Sequence, residues 1–465
     1  MAKQIVQRRG LLRAVLAATG RPIARLLNFE YCPDVQEQKT VSSQFTAAET
    51  RRNYLLLVAE GILFTVGLVF FDPNTVLPLL MERMTGSAVL VGVVGSVEPL
   101  AKGIAPILSG NWISSLAHKK PFLISAMAVG RLPLWLLGLA LIWIPESPAY
   151  LWAALILLVQ VLFWFGDATG DPAWMDMVGK AVPDNRRGRF FATRQVVGGV
   201  LAVAAGTAVA AILDFDGFTF PVNYGVVITI AAVLYLFNLG TFFGMKEHAS
   251  STSDRHSLGL LIRKLPSYLT AHPTFGLTML VLILFNSARL SLPFYIIFGQ
   301  QQFGLTERAL AVFIPLQMAG RIIGTLTWGG LGDRFGHQRA IKAVSVVCVI
   351  PPVIAFTAAY LIPGSLGAVS AYVPFALIFF LIGAYLEGWP AFINHMLETV
   401  PEHDRPRYAG LMGIGYVPAV LAPVVGGVII QRVGYPALFS LTAIITITGA
   451  VAALLLRPPA RLKKS

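Results

Sequence analysis

Residues 170–190 read GDPAWMDMVGKAVPDNRRGRF, and residues 388–408 read GWPAFINHMLETVPEHDRPRY. At an offset of 218, Gly170, Pro172 and Ala173 fall on Gly388, Pro390 and Ala391, and Val182, Pro183 and Asp184 fall on Val400, Pro401 and Glu402. Arg187 and Arg189 meet Arg405 and Arg407, and Phe190 meets Tyr408. The shared pattern, G-x-P-A-x8-V-P-[DE]-x-x-R-x-R-[FY], runs from the end of an apolar stretch into the loop after it. An offset larger by one places Gly110 over Gly329, His118 over His337, Lys120 over Arg339 and Lys102 over Arg321. Matches in two separate loops at one near-constant offset mark an internal duplication.

The duplicated unit is apolar. Of 465 residues, 56% are hydrophobic and 13% charged, with a mean hydropathy of +0.70. A soluble chain carries about 25% charged residues, so too little polar surface remains here to face water. In lipid, only helices and closed barrels satisfy all of their backbone polar groups. Barrel strands alternate over about ten residues, whereas Tyr54–Leu80 and Ala343–Ile362 are continuous apolar runs. Such runs cross about 30 Å of hydrocarbon as helix. Twelve spans are expected, near 54–80, 88–110, 120–143, 150–176, 189–213, 222–245, 273–298, 308–331, 340–362, 372–397, 408–431 and 434–456. The offset equals six spans, an even number, so the halves are parallel repeats about an axis along the membrane normal. The expected fold is an all-α polytopic membrane protein of two six-helix bundles.

The net charge of +13 points to topology when the charges are placed. With the N-terminus inside, the inside segments hold 28 of the 36 Lys and Arg, and the outside loops hold only Arg83, Arg308 and Arg432. That imbalance predicts cytoplasmic termini and needs no nucleic acid. The expected organisation is a basic tail at 1–52, a bundle at 53–245, a polar linker at 246–272, a second bundle at 273–457 and a short tail at 458–465. The first 29 residues carry five arginines and a lysine but no Asp or Glu. They read as a basic amphipathic helix on the anionic inner leaflet, with an organellar transit peptide as the alternative. An inner, plasma-type membrane is therefore expected over an organellar one, and a monomer over an oligomer. Cys32 and Cys348 form no disulfide framework, and the seven histidines show no zinc spacing, so no metal is expected.

The loop after the eighth span, Gly329-Gly330-Leu331-Gly332-Asp333-Arg334-Phe335-Gly336-His337-Gln338-Arg339, resembles the G-x-L-x-D-R-x-G-R-[RK] signature of the major facilitator superfamily. The segment from Pro183 to Arg189 is similar to that family's P-x-x-x-R-G element. The resemblance covers roughly 53–457. It implies a secondary transporter that opens a central site alternately to the two sides, with the first, fourth, seventh and tenth spans lining the cavity. It also implies that Asp333, with Arg334 or Arg339 or a neighbouring helix end, latches the cytoplasmic face, flanked by Gly329, Gly332 and Gly336. A plain positive-inside turn is the alternative. The first half departs from the signature, with Ser114 and Ser115 at the Asp-Arg positions and Ala117 at the glycine. The fourth span lacks the arginine of many proton-coupled members, and the fifth lacks the Gly-Pro pair of antiporters.

Charges inside spans are the candidate sites, since each costs about 2.5–3.5 kcal/mol at the bilayer centre. Glu98, Lys102, Arg131, Arg289, Arg321 and Glu387 are the most central; Glu60, Asp72, Asp167, Asp171, Asp176 and Arg194 lie nearer the ends. Glu98 and Lys102 stand at i and i+4 in the favourable order for a pair. Asp167 and Asp171 share a helix face, where two carboxylates repel and one can hold a transferable proton; pairing with loop arginines such as Arg187 is the alternative, chiefly for Asp176. Arg131 is expected on a peripheral span in a structural role. Four cations to two anions among the central six suggest a cavity favouring an anionic or amphipathic solute, with Arg289 and Arg321 as contacts. Phe163, Trp164, Phe165, Tyr385 and Trp389 are candidates for a stacking wall or for packing. The chain has no nucleotide-binding G-x-x-x-x-G-K-[ST] loop and no His-x-x-Glu-His or Gly-x-Ser-x-Gly cluster. A proton-coupled transporter without cofactor is therefore the leading expectation over an enzyme, with drug efflux by antiport or a non-transporting sensor as alternatives.

Overall fold

The structure, a computed structural model, describes residues 45–113, 115–182, 186–249, 273–361, 367–400 and 412–457. Most of the expected tail and linker, Cys32, Pro183, Pro401, Arg405 and Arg407 lie outside these residues, as does the side chain of Arg187. Among the described residues there is no strand, and eleven helices are long and apolar enough to cross a membrane. The first six spans are Ala47–Phe70, Ala88–Ile113, Lys120–Trp143, Ala149–Ala181, Arg187–Leu213 and Val222–Gly244. The seventh to tenth are Pro273–Phe303, Leu310–Phe335, His337–Leu361 and Ala371–Thr399, and the twelfth is Tyr435–Leu454. In the eleventh place stands a shorter apolar helix of 16 residues, Val417–Arg432, entered by a 3-10 turn at Gly413–Tyr416.

The first helix begins inside the expected tail. Thr46 accepts from the backbone N–H of Glu49 while the Glu49 carboxylate accepts from the backbone N–H of Thr46, a capping box that starts the helix at Ala47. The apolar run 54–80 is not one helix. Pro73 cannot donate to the carbonyl four residues back and disfavours helix at Asp72. Asp72 Oδ1 instead accepts from the Asn74 N–H at 2.8 Å and the Thr75 hydroxyl at 3.0 Å. A second helix, Val76–Thr85, follows and ends at Gly86, whose φ of 62° is left-handed.

Two spans of the second half are broken in the same way. The seventh stops at Asn286, passes through 3-10 turns at Ser287–Leu290 and Leu292–Phe294, and resumes as Tyr295–Phe303. Pro293 has no N–H to give the Arg289 carbonyl, so the break falls at Arg289. The tenth stops at Leu386 and resumes at Trp389, with Pro390 unable to donate to Leu386, so Glu387 sits in the break.

Successive spans run in opposite directions. Asn53 of the first span exchanges two 2.9 Å hydrogen bonds with the backbone of Lys246 after the sixth, which marks the face shared by the N-terminus and the linker. Contacts between the halves concentrate at the opposite, far face. Gly92 of the second span lies against the Pro423 carbonyl of the eleventh, and Gly427 lies against the Ala88 carbonyl. Gly206 of the fifth span packs on Ile314 and Pro315 of the eighth. Arg308 pairs with Asp214 at 2.6 Å, and Gln301 donates to Glu82 at 2.9 Å. Without a hydrophobic drive between helices in lipid, such close backbone contact supplies the association.

A Cβ at Gly92 would collide with the Pro423 backbone, whereas Gly103, three turns further along nearly the same face, has open space. Gly92→Leu is therefore expected to cost about 1–3 kcal/mol by overpacking and to lower the melting temperature of purified protein. Gly103→Leu should leave it unchanged, and the same thermal melt checks both.

Candidate ion-pair and solute site

Most of the charges inside the spans meet a partner of opposite sign. Glu60 is 4% exposed and receives donors from three other spans at once. Arg194 of the fifth span donates to its Oε2 at 2.9 Å, and Trp174 of the fourth at 3.2 Å. Asn238 of the sixth donates to Oε1 at 3.3 Å and to the Glu60 carbonyl at 2.7 Å. The Arg194 guanidinium lies 4.7 Å from the Trp174 ring centroid. It fits because residue 61 is glycine: a Cβ there would fall on the guanidinium. Trp174 and Asn238 carry no sequence signal for this role, since neither is charged nor near in sequence to Glu60.

Glu98 and Lys102 form their i,i+4 pair at 2.8 Å, and Lys102 lies 4.8 Å from the Trp164 ring. Arg289, presented at the backbone break of the seventh span, reaches Glu98 from the other half at 3.9 Å. Arg131 of the third span meets Asp167 of the fourth at 3.4 Å and lies 5.7 Å from the buried Tyr235 ring. Arg321 of the eighth span donates its Nε to Glu387 at 2.6 Å, with Thr325 adding a weaker 3.4 Å contact. Asp72 is held by its own turn. Asp171 makes no hydrogen bond or ion pair among the described residues, and Lys102 acts electrostatically on both Asp167 and Asp171. The expected excess of positive charge is thus offset: Lys102 and Arg289 share Glu98, but Arg131, Arg194 and Arg321 each have a carboxylate of their own.

The linker face is tied differently in each half. In the first, the Glu247 carboxylate caps the start of the third span, accepting from the Lys119 N–H at 2.6 Å and the Lys120 N–H at 3.1 Å. Anions are favoured at such N-termini. Lys119 also reaches Asp176 at 2.8 Å, and Lys180 reaches the same carboxylate at 2.8 Å. In the second half His337 Nδ1 and Glu398 Oε1 share a 2.6 Å hydrogen bond. Gly336 takes a φ of 90° at the end of the eighth span, and Gly332 leaves room for the His337 ring, so both signature glycines are needed sterically. Gly329 meets no neighbour within 4 Å of a Cβ position. Asp333 and Arg334 are exposed, and Asp333 makes no ion pair among the described residues; Arg339 lies 5.7 Å from the Phe335 ring. Arg189 is exposed at the start of the fifth span.

Phe163, Trp164 and Tyr385 are buried core residues, Phe163 touching Phe71 and Tyr235 edge to face and Tyr385 touching Phe285. They pack rather than line a space. The space between the halves is elsewhere. An open cavity is lined by Phe64, Thr65 and Leu68 of the first span, Gln195 and Gly199 of the fifth, and Met318 and Arg321 of the eighth. Of these only Arg321 was marked by its charge in the sequence.

Two parallel six-span bundles with a cavity and ion pairs at their seam define a polytopic membrane transporter fold. A model of the Major Facilitator Superfamily matches residues 61–417, and the chain belongs to that superfamily. It is 25% identical over 290 residues to the uncharacterized MFS-type transporter YuxJ of Bacillus subtilis, covering 60% of this chain and 68% of that one. It is 20% identical over 318 residues to the uncharacterized MFS-type transporter MJ1317 of Methanocaldococcus jannaschii, covering 67% and 74%. Over 144 residues it is 26% identical to a tetracenomycin C resistance and export protein of Streptomyces glaucescens, covering 31% of this chain and 25% of that one. Among solved structures, a point mutant of the nucleoside transporter NupG superposes with a TM-score of 0.66 at 15% identity, covering 87% of this chain and 99% of that one. That likeness shows the fold.

Removing one partner of the Glu60–Arg194 pair leaves a buried charge alone, which costs about 3–5 kcal/mol. Glu60→Leu is expected to lower the melting temperature sharply. Glu60→Leu combined with Arg194→Leu should recover most of the loss, and a double-mutant melting series checks it.

Proposed function

We propose that the chain is a proton-coupled secondary transporter that carries a small organic solute by alternating access across a plasma (inner) membrane. Membership of a transporter superfamily supports transport. The observation that carries the coupling is Asp171: a half-buried carboxylate without a hydrogen bond or cation partner among the described residues, one turn from the paired Asp167. A proton can bind Asp171 without an ion pair having to break, and Lys102 on the facing span biases when it leaves. The clustering of contacts between halves at the far face supports a conformation closed there. The lysine and arginine excess at the linker face supports cytoplasmic termini, so this conformation is inward-facing. The protein acts as a monomer in this reading, with a solute, a proton and the bilayer as its partners. Asp333, Arg334 and Arg339 remain available at the linker face to pair when that face closes. The tetracenomycin C exporter and the nucleoside transporter suggest two first solutes to try.

Purified protein in liposomes with a trapped pH dye tests this. Tetracenomycin C, uridine and an aromatic amide are each added under an imposed proton gradient. A carried solute should move protons in step, and a protonophore should abolish uphill accumulation. Asp171→Asn should keep downhill exchange but lower uphill accumulation at least about tenfold, as expected for a lost proton-transfer group. Uphill accumulation by Asp171→Asn at the wild-type level would remove Asp171 from the mechanism.

A further inference from the structure

The cavity at the seam of the first, fifth and eighth spans combines three apolar side chains, Phe64, Leu68 and Met318, with three hydrogen-bonding ones, Thr65, Gln195 and Arg321. The cavity is open rather than enclosed, so a ligand can seat one ring against these side chains and extend out of it. The electrostatics of the cavity narrow what it can hold. Arg321 has its charge met at 2.6 Å by Glu387, yet its two Nη groups make no hydrogen bond among the described residues. The side-chain amide of Gln195 makes none either. Thr65 donates to the Gly61 carbonyl at 2.9 Å, which leaves its oxygen free to accept.

A carboxylate ligand on Arg321 would compete with Glu387 and add negative charge to a position that already feels Glu98 and Asp72. An ammonium ligand would face the guanidinium. An uncharged ring has neither penalty. Its faces pack against Phe64, Leu68 and the polarizable Met318 thioether, and a carbonyl or amide oxygen accepts from the free Arg321 and Gln195 donors. Discrimination would come from repulsion of the wrong charge as much as from attraction of the right shape.

We infer that this seam cavity is a binding site for an uncharged amphipathic ring compound bearing a carbonyl or amide oxygen. The site draws residues from both halves, so its shape changes whenever the halves move against each other. The inference rests on the reading of the chain as a carrier of organic solutes, and it replaces the anionic preference that a count of charges suggested. Glu387 is the specificity determinant: it neutralises Arg321 and so excludes acids.

Photolabelling of the full-length protein in nanodiscs tests this with two ligands of one shape, neutral 4-benzoylbenzamide and anionic 4-benzoylbenzoate. The amide should label Met318 or Leu68 saturably, and about tenfold more than the carboxylate, as like-charge repulsion predicts. Glu387→Gln should shift the preference by about tenfold or more toward the carboxylate. Should Glu387→Gln fail to fold, Gln195→Leu serves, with saturable labelling at Met318 expected to fall. Equal labelling by both ligands, a wild-type preference for the carboxylate, or non-saturable adducts scattered over lipid-facing residues would each overturn the inference. Labelling reads binding alone and needs no gradient, so a failed coupling test with Asp171→Asn leaves this result interpretable.

Discussion

A charge in hydrocarbon has no water to retreat to, and the arrangement of spans follows from where each charge finds its partner. Glu60 ties the first span to the fifth through Arg194, Arg131 ties the third to the fourth through Asp167, and Arg321 ties the eighth to the tenth through Glu387. Each of these pairs lies within one half. Among the described residues, the one central pair between halves, Glu98 with Arg289, is longer than these at 3.9 Å. Short pairs make each bundle a unit, while a loose one joins them. That division of strength suits two bodies that must rock against each other without coming apart internally.

The backbone follows a related constraint. A helix broken inside a membrane leaves polar groups that must be met by protein or by a wet cavity. The breaks after the first-span helix and within the seventh and tenth spans each present a charged residue, Asp72, Arg289 or Glu387. Asn286 at the seventh-span break donates to the Gly415 carbonyl at 3.0 Å, one of the bonds that makes the interruption tolerable. Other prolines, among them Pro99, Pro106 and Pro172, sit inside continuous helices. Proline therefore permits a break, and the tertiary partners determine whether one forms.

Duplication supplied two similar bundles, and the tie at the linker face shows how they diverged. Where the second half keeps Asp333 and Arg334, the first has serines. The first half instead uses Glu247, brought from beyond the sixth span, to cap the third span. Glu247 is distant in sequence from the helix it caps, whereas Asp333 makes no ion pair among the described residues, so the two halves tie this face differently. His337 with Glu398 and Lys119 with Asp176 likewise join equivalent elements with different chemistry.

The amino-acid sequence by itself determined the membrane-spanning helical class, the positions of nearly all spans, the duplication and the Glu98–Lys102 pair. All of these depend on composition, on period or on neighbours one helical turn apart, and such relations are local. The breaks at Asp72, Arg289 and Glu387 were only half legible, because prolines mark them but do not compel them. The Glu60 cluster, the pairing of Arg321 with Glu387 and the seam cavity were not legible. They join residues from different spans, and the rotation of one helix against another is set by glycine contacts such as Gly92 with Pro423. Only the tertiary structure decided which face of each span looks inward, and with it which charges are neutralised and which carboxylate, Asp171, is left open.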